Sequence, residues 1–293
     1  LRNEQDMMDV ILSTAKDDER IRAVYMNGSR TNPNVKKDIF QDYDIVFVVT
    51  ETMSFIKDKT WIDRFGELIM MQEPDKNDFG IVQDIDFHKS YGFLMLFTDG
   101  NRIDLRIETV EVMAEKYKKE KLTLPLLDKD HLLPAISPPT DIDYYLKPPT
   151  KEEFDSYTNN FWWCLQNVAK GMWRDELPYS KLMFEYTTRD ALDKIIAWWI
   201  GIQYEFQVSI GSLGKYVKNY LPKQYWNMYK GTYSNAEYDN MWESIFVTCQ
   251  LFRTLAQDVA AHFNFRYPIK DDNNMMSYLK HVRNLPFDAK EIY

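Results

Sequence analysis

At Pro148-Pro149 the spacing of apolar residues changes period, so the two halves of the chain cannot share one architecture. Immediately beyond, Thr150 with Glu153 three residues on has the pattern of a helix-opening capping box. Phe154, Tyr157, Phe161, Trp162, Leu165, Val168 and Met172 then recur at helical spacing. Further helices are expected over 180–186, 189–207, 212–221, stopped by Pro222, and 236–263. In the last of these, Met241, Ile245, Cys249, Phe252, Ala256 and Val259 face inward. Before the prolines, short strand-like runs alternate with helical ones. The fold class expected is α+β: a mixed β-sheet domain with flanking helices over residues 1–148, an all-helical bundle over 149–293, and a cleft between them.

Within the first half, Asn3 to Lys16 sets Met7, Met8, Ile11 and Leu12 on one helical face, and Ile21 to Met26 forms a strand that runs into Gly28-Ser29. The run Asp42 to Val49 is apolar on both faces after its first three residues, which predicts a central strand. Ile69 to Met71 suggests a short strand, and the polar, Asp-rich residues 75–90 a surface loop. Tyr91 to Phe97 and Asn101 to Glu108, joined through Asp99-Gly100, read as a hairpin. In its second strand Ile103, Leu105 and Ile107 alternate with Arg102, Asp104, Arg106 and Glu108, which turns Asp104 to the polar face. A helix over 110–119 and proline-rich exits at 134–139 and 147–149 complete this half.

Several function classes are excluded by composition. Apolar residues at 45% and aromatics at 15% rule out a disordered chain. No apolar run approaches the roughly 18–20 residues that span a bilayer, and the acidic start Asn3-Glu4-Gln5-Asp6 lacks the look of a secretory signal, so a cytoplasmic protein without membrane partners is expected. Cys164 and Cys249 lie in helical patterns without a CxxC partner and read as core residues. His88, His131, His262 and His281 show no ligand spacing. The net charge of −9 is unevenly spread: residues 1–150 carry 28 acidic and 20 basic side chains, residues 151–293 carry 17 and 16. That imbalance disfavours nucleic acid and suits a cationic small molecule.

Four D-x-D pairs occur, Asp42/Asp44, Asp84/Asp86, Asp128/Asp130 and Asp141/Asp143, and the last three read as solvated loops. The first differs because it opens a strand, where a period of two puts both carboxylates on one face. It also follows a Gly28-Ser29 turn able to offer N–H groups and a hydroxyl to phosphate, and a third acid, Asp104, stands on the polar face of a later strand. Three crowded carboxylates repel unless cations offset them, and an all-oxygen donor set favours magnesium. Two ions roughly 3.5–4 Å apart could hold a triphosphate and activate a hydroxyl. The plain structural alternative is that Asp42 and Asp44 cap a strand and Asp104 is surface charge.

Gly28-Ser29, Asp42-x-Asp44 and the later strand aspartate resemble the nucleotidyltransferase superfamily. The runs GSRTN, FQDYDI, IMMQEP, DGNRIDL and LLDKD, with the Tyr145 to Phe154 segment and the stretch from Met241 to Arg253, resemble more closely the bacterial aminoglycoside 6-adenylyltransferases, which inactivate streptomycin. The resemblance runs from the N-terminus through the helical half. It implies a nucleotidyltransferase-type domain, with ATP and magnesium, that transfers AMP to the 6-hydroxyl of streptomycin and releases pyrophosphate. Carried onto this sequence, the Gly28 turn with Ser29 and Arg30 contacts the triphosphate, Asp42 and Asp44 ligate magnesium, and Asp104 is the general base and a third metal ligand.

Among other candidates, Lys215 and Lys218 follow Gly211 and Gly214 at a helix start, and a basic side chain there suits a leaving pyrophosphate; Lys215 is the choice, against an ordinary solvated lysine. Arg102 and Arg106 flank Asp104, and pairing with a carboxylate is favoured over phosphate contact. A ligand with two guanidinium groups needs acids and rings, for which Glu185, Asp190, Trp162 and Trp163 are conceivable, although bundle core or plain exposure accounts for most of them. A monomer is expected. Two other functions fit the same residues: adenylyl transfer to a different acceptor, and a non-catalytic nucleotide-binding module.

Overall fold

The first helix starts where Asn3 and Asp6 close a capping box: the Asp6 N–H donates to the Asn3 side chain at 3.0 Å and the Asn3 N–H to the Asp6 carboxylate at 2.8 Å. In the computed structural model, which describes residues 2–82 and 84–293, this helix is α1 (Glu4–Asp17). It is followed by β1 (Ile21–Asn27), β2 (Tyr43–Val49), α2 (Met53–Lys57), β3 (Leu68–Gln72), α3 (Pro74–Asp78), β4 (Ser90–Phe97), β5 (Arg102–Thr109), α4 (Val110–Lys116) and β6 (Thr123–Asp128). The chain divides into two compact units, Leu1–Asp143 and Tyr144–Tyr293.

The six strands lie in the order β3-β4-β5-β2-β1-β6; β2 and β5 run parallel, and every other neighbouring pair is antiparallel. Strand β2 is therefore internal, as its double-sided apolarity predicts. One face of the sheet, carrying Ile45, Phe47, Val49, Ile103, Leu105 and Ile107, packs with Met7, Ile11 and Ala15 of α1. On the other face Tyr25, Val46 and Val48 pack with Met113 of α4 and with Tyr117, which caps that helix. Burial of rings such as Phe47, Phe93 and Phe97, all at 0% exposure, contributes about 1.5–3 kcal/mol each. The Asp99-Gly100 hairpin forms as expected, with Gly100 at φ +84°.

The second unit contains α5 (Lys151–Trp173), α6 (Leu177–Leu182), α7 (Arg189–Gln203), α8 (Val217–Tyr220), α9 (Lys223–Gly231), α10 (Tyr238–Phe263) and α11 (Ile269–Arg283). The Thr150–Glu153 capping box opens α5, with bonds of 3.1 and 2.8 Å. Inside the bundle Phe161 stacks on Phe252 with centroids 3.6 Å apart, among Trp162, Leu192, Ile245 and Leu255. Both cysteines are free and buried, and burial pushes the Cys249 thiol up, which keeps it inert. Among the described residues no helix is long and apolar enough to cross a membrane. The α+β class holds.

Several elements depart from the sequence-based expectation. Residues 75–90 are not all loop, because α3 begins at Pro74, a residue suited to the first helical turn. Strand β6 was not anticipated; it contains Pro125, which an edge strand paired only with β1 can tolerate. The 180–186 helix is the end of α6 and a π-helical turn, Met183–Thr188, that runs on into α7. Helix α7 stops at Gln203, where Glu205 and Phe206 take φ of +53° and +58° and the Phe206 ring packs onto Gly201. Helices α9 and α11 were also not anticipated. Pro222 ends one helix and caps the next, and α11 buries only Asp272, Leu279 and Val282, too few for a clear period.

Candidate active site

Asp44 is the second residue of β2, and the parallel register pairs it with Asp104 of β5. Both side chains leave the sheet on the face opposite the α1 core, and Asp42, two residues before Asp44, shares that side. One oxygen from each of Asp42, Asp44 and Asp104 lies within 4.8 Å of the others. All three are half-buried, with side-chain exposures of 29% for Asp42 and 18% for Asp104. The three carboxylates thus stand together on one face of the sheet rather than apart.

The next neighbouring strand supplies the turn. Antiparallel pairing sets Asn27 of β1 opposite Asp44, so the chain turns at Gly28 beside the carboxylate. Gly28 has φ +76°, and a Cβ added there would stand 2.8 Å from Asp44 Cγ and closer still to Oδ2. Only glycine fits, for two independent reasons: the backbone conformation and the space that Asp44 occupies. A single 3-10 turn, Ser29–Thr31, follows, and the Thr31 N–H and hydroxyl both donate to the Gly28 carbonyl, at 3.1 and 2.9 Å.

Arg30 is turned onto its own loop. Its guanidinium donates to the carbonyls of Asp42 at 2.9 Å and Gln41 at 2.8 Å, lies 3.7 Å over the Tyr43 ring and pairs with Glu4 at 3.4 Å. With 8% side-chain exposure it braces the segment that delivers Asp42. Gln41, which sequence reasoning passed over, sets its amide nitrogen 3.4 Å from both the carbonyl and the hydroxyl of Ser29. Its position immediately before Asp42 was the available signal.

Arg102 pairs with a carboxylate, as favoured. Its guanidinium grips Asp104 through two bonds of 2.7 and 2.5 Å and comes within 4.0 Å of Asp42. The hydrogen-bonded Asp104 carboxylate raises the Arg102 pKa further above its already high ordinary value. Arg106 instead faces Asp75 at 3.5 Å and donates to Ser90. Glu108, further along the same face, is 1% exposed and accepts from the Tyr25 hydroxyl; burial raises its pKa, so it belongs to the core rather than the site.

The other D-x-D pairs stand outside this cluster, and two of them need correction. Asp141 is buried at 5% exposure and accepts from Asn34 at 2.8 Å, while Asp128 accepts from the Leu132 and Leu133 N–H groups at 2.9 and 2.8 Å. Both hold loops in place, and neither is simply solvated. In the helical unit, Lys215 is exposed and follows the 3-10 turn Ser212–Gly214, not the start of a regular helix, with its ammonium 5.2 Å from the Tyr216 ring centre. Glu185 sits on the π-turn between Lys181 and Arg189, at 3.2 and 2.8 Å. Trp162 is core, whereas Trp163 is 65% exposed. Asp190 is exposed on α7.

The trio suits a hard divalent cation: three carboxylate oxygens converge, and among the described residues no histidine or cysteine joins them. The Gly28 turn, with the Ser29 hydroxyl, lies on one side of this trio, beside Asp44.

A family model described as streptomycin adenylyltransferase matches residues 1–282. An aminoglycoside 6-adenylyltransferase of Campylobacter jejuni is 39% identical over 272 residues, 93% of each chain. Another from Bacillus subtilis (strain 168) is 36% identical over 274 residues, 93% of this chain and 95% of that protein. A crystal structure of an aminoglycoside 6-adenyltransferase from Bacillus subtilis aligns at 32% identity and a TM-score of 0.48, covering 97% of this chain and 100% of that one.

Proposed function

The chain belongs to the streptomycin adenylyltransferase family, and on that footing we propose that it transfers AMP from ATP to the 6-hydroxyl of streptomycin, releasing pyrophosphate. The observation that carries this reading is the convergence of Asp42, Asp44 and Asp104 beside the Gly28 turn. Asp42 and Asp44 would hold magnesium with Asp104 as a further ligand; bound there, the metal neutralises charge on the triphosphate and favours attack at the α-phosphorus.

The remaining steps belong to the chain's own residues. Asp104 takes the proton of the acceptor hydroxyl as its oxygen bonds to the α-phosphorus, and the bond from that phosphorus to the bridging oxygen breaks, sending pyrophosphate away. The Ser29 hydroxyl and the N–H groups of Ser29 and Arg30 at the start of its turn would receive phosphate oxygens. Arg30 and Gln41 brace that turn and the Asp42 loop, and Arg30 would add its positive charge to the triphosphate contacts made beside Ser29. The acidic balance of the first half favours a cationic acceptor, and consumption of ATP fits a cytoplasmic enzyme.

The test is pyrophosphate release from ATP and magnesium with and without streptomycin. Release that depends on streptomycin, with an adenylylated product, supports the reading; turnover with another aminoglycoside alone moves the acceptor. Tight ATP binding with no turnover on any acceptor would leave a binding module. Asp104→Asn should keep ATP binding near normal and abolish turnover, and unimpaired turnover removes Asp104 as the base.

A further inference from the structure

We propose that Arg102 is a resident counter-ion of the carboxylate trio, which competes with divalent metal for Asp104 and Asp42 and must swing off Asp104 before that carboxylate can accept a proton. The inference rests on the reading that the trio holds metal, and it concerns what guards the site beforehand.

The geometry argues for competition rather than support. The Arg102 fork uses both oxygens of Asp104, at 2.7 and 2.5 Å, so the lone pairs that face it are filled by N–H donors. The same guanidinium is 4.0 Å from Asp42, so a single cation spans two of the three acids. A guanidinium cannot be neutralised by losing its proton in a protein, so it can yield only by moving.

It is free to move. The Arg102 side chain is 48% exposed whereas Asp104 is 18% exposed, which puts the guanidinium on the solvent side of the carboxylate. Arg30, at 8% exposure and tied to two backbone carbonyls, has no such freedom. The division of labour follows: Arg30 is fixed and shapes the loop, and Arg102 is a movable charge. One positive charge leaves the trio with a net excess of two negative charges, which keeps divalent ions attracted while sparing the metal-free sheet the full mutual repulsion.

Manganese titrated into nucleotide-free, full-length protein, with free ion read by electron paramagnetic resonance, tests this. Arg102→Gln should bind manganese about fivefold more tightly than wild type, the scale of a half-exposed ion pair. Arg102→Lys, which keeps the charge and loses the fork, should fall between. Equal or weaker binding by the Gln variant while the wild type binds measurably overturns the proposal. Failure of every version to take up manganese sinks the metal reading itself, and this proposal with it. Should the Gln variant not fold, as judged by its melt, the Lys variant decides: binding no tighter than wild type counts against the proposal. In wild type, the Arg102 Nε–H resonance should shift and exchange faster with water as magnesium is added; a resonance unmoved while magnesium binds also overturns it.

Discussion

Individual residues at this site are specified by contacts that a neighbour's identity imposes. Gly28→Ala puts a methyl group against the Asp44 carboxylate and an L side chain at φ +76°. We expect a loss of about 1–3 kcal/mol in stability and, because displacement of a reacting group by about 1 Å costs about 100-fold, a fall in kcat of that order. A thermal melt and steady-state kinetics check both. Arg30→Ala removes two bonds to the carbonyls that deliver Asp42, and a loss of about 1.5–3 kcal/mol is expected. Arg30→Lys should not restore it, since an ammonium cannot reproduce the planar fork stacked on Tyr43; equal denaturation midpoints for Lys and wild type would refute this. The glycine and arginine were legible as turn residues in the sequence. What they brace was not, because Asp44 and the Gln41 carbonyl reach them only after strands β1 and β2 pair.

Elements carry the remaining polar interactions, and their pH and mutational behaviour follows from burial. In strand β5, burial raises the pKa of Glu108 above its ordinary value of 4.5. Between the unfolded and folded values the native state holds a proton that the unfolded chain has released, so this group's contribution is full below 4.5 and is lost as pH rises through the folded value. Glu108→Gln keeps an acceptor for the Tyr25 hydroxyl and should gain stability relative to wild type as pH rises from 4 to 7, a trend that denaturant titrations across that range would reveal. Between α10 and α11, Asp272 is 0% exposed and accepts from Arg253 and, at 2.8 Å, from the Tyr267 hydroxyl. Asp272→Ala strands a partly buried guanidinium and should cost about 3 kcal/mol or more, read from the urea midpoint. That helix was illegible beforehand because a buried acid sits where a period of apolar residues would have announced it. Strand β6 was illegible for a related reason: Pro125 argues against a strand until the segment is known to lie at the edge.

Across the whole molecule, each unit keeps its own core: the two clusters on the sheet lie within Leu1–Asp143 and the bundle cluster within Tyr144–Tyr293. A fragment of residues 144–293 should therefore fold by itself with helical circular dichroism and a cooperative melt; a non-cooperative melt would count against this autonomy. The sequence by itself determined whatever depends on near neighbours along the chain: the capping boxes at Asn3 and Thr150, the Asp99-Gly100 hairpin, the internal character of β2, and the common face of Asp42 and Asp44. Only the tertiary structure decided that β5, and not another strand, lies parallel against β2 and brings Asp104 to Asp44, with Arg102 drawn onto Asp104 and toward Asp42. The physical reason is that hydrophobic period and turn chemistry act over a few residues, whereas the choice of strand partner is made by the collective burial of both sheet faces. The entropy of bringing together two segments separated along the chain, as β2 and β5 are, grows only slowly with that separation, so distance along the chain gives almost no hint of that choice.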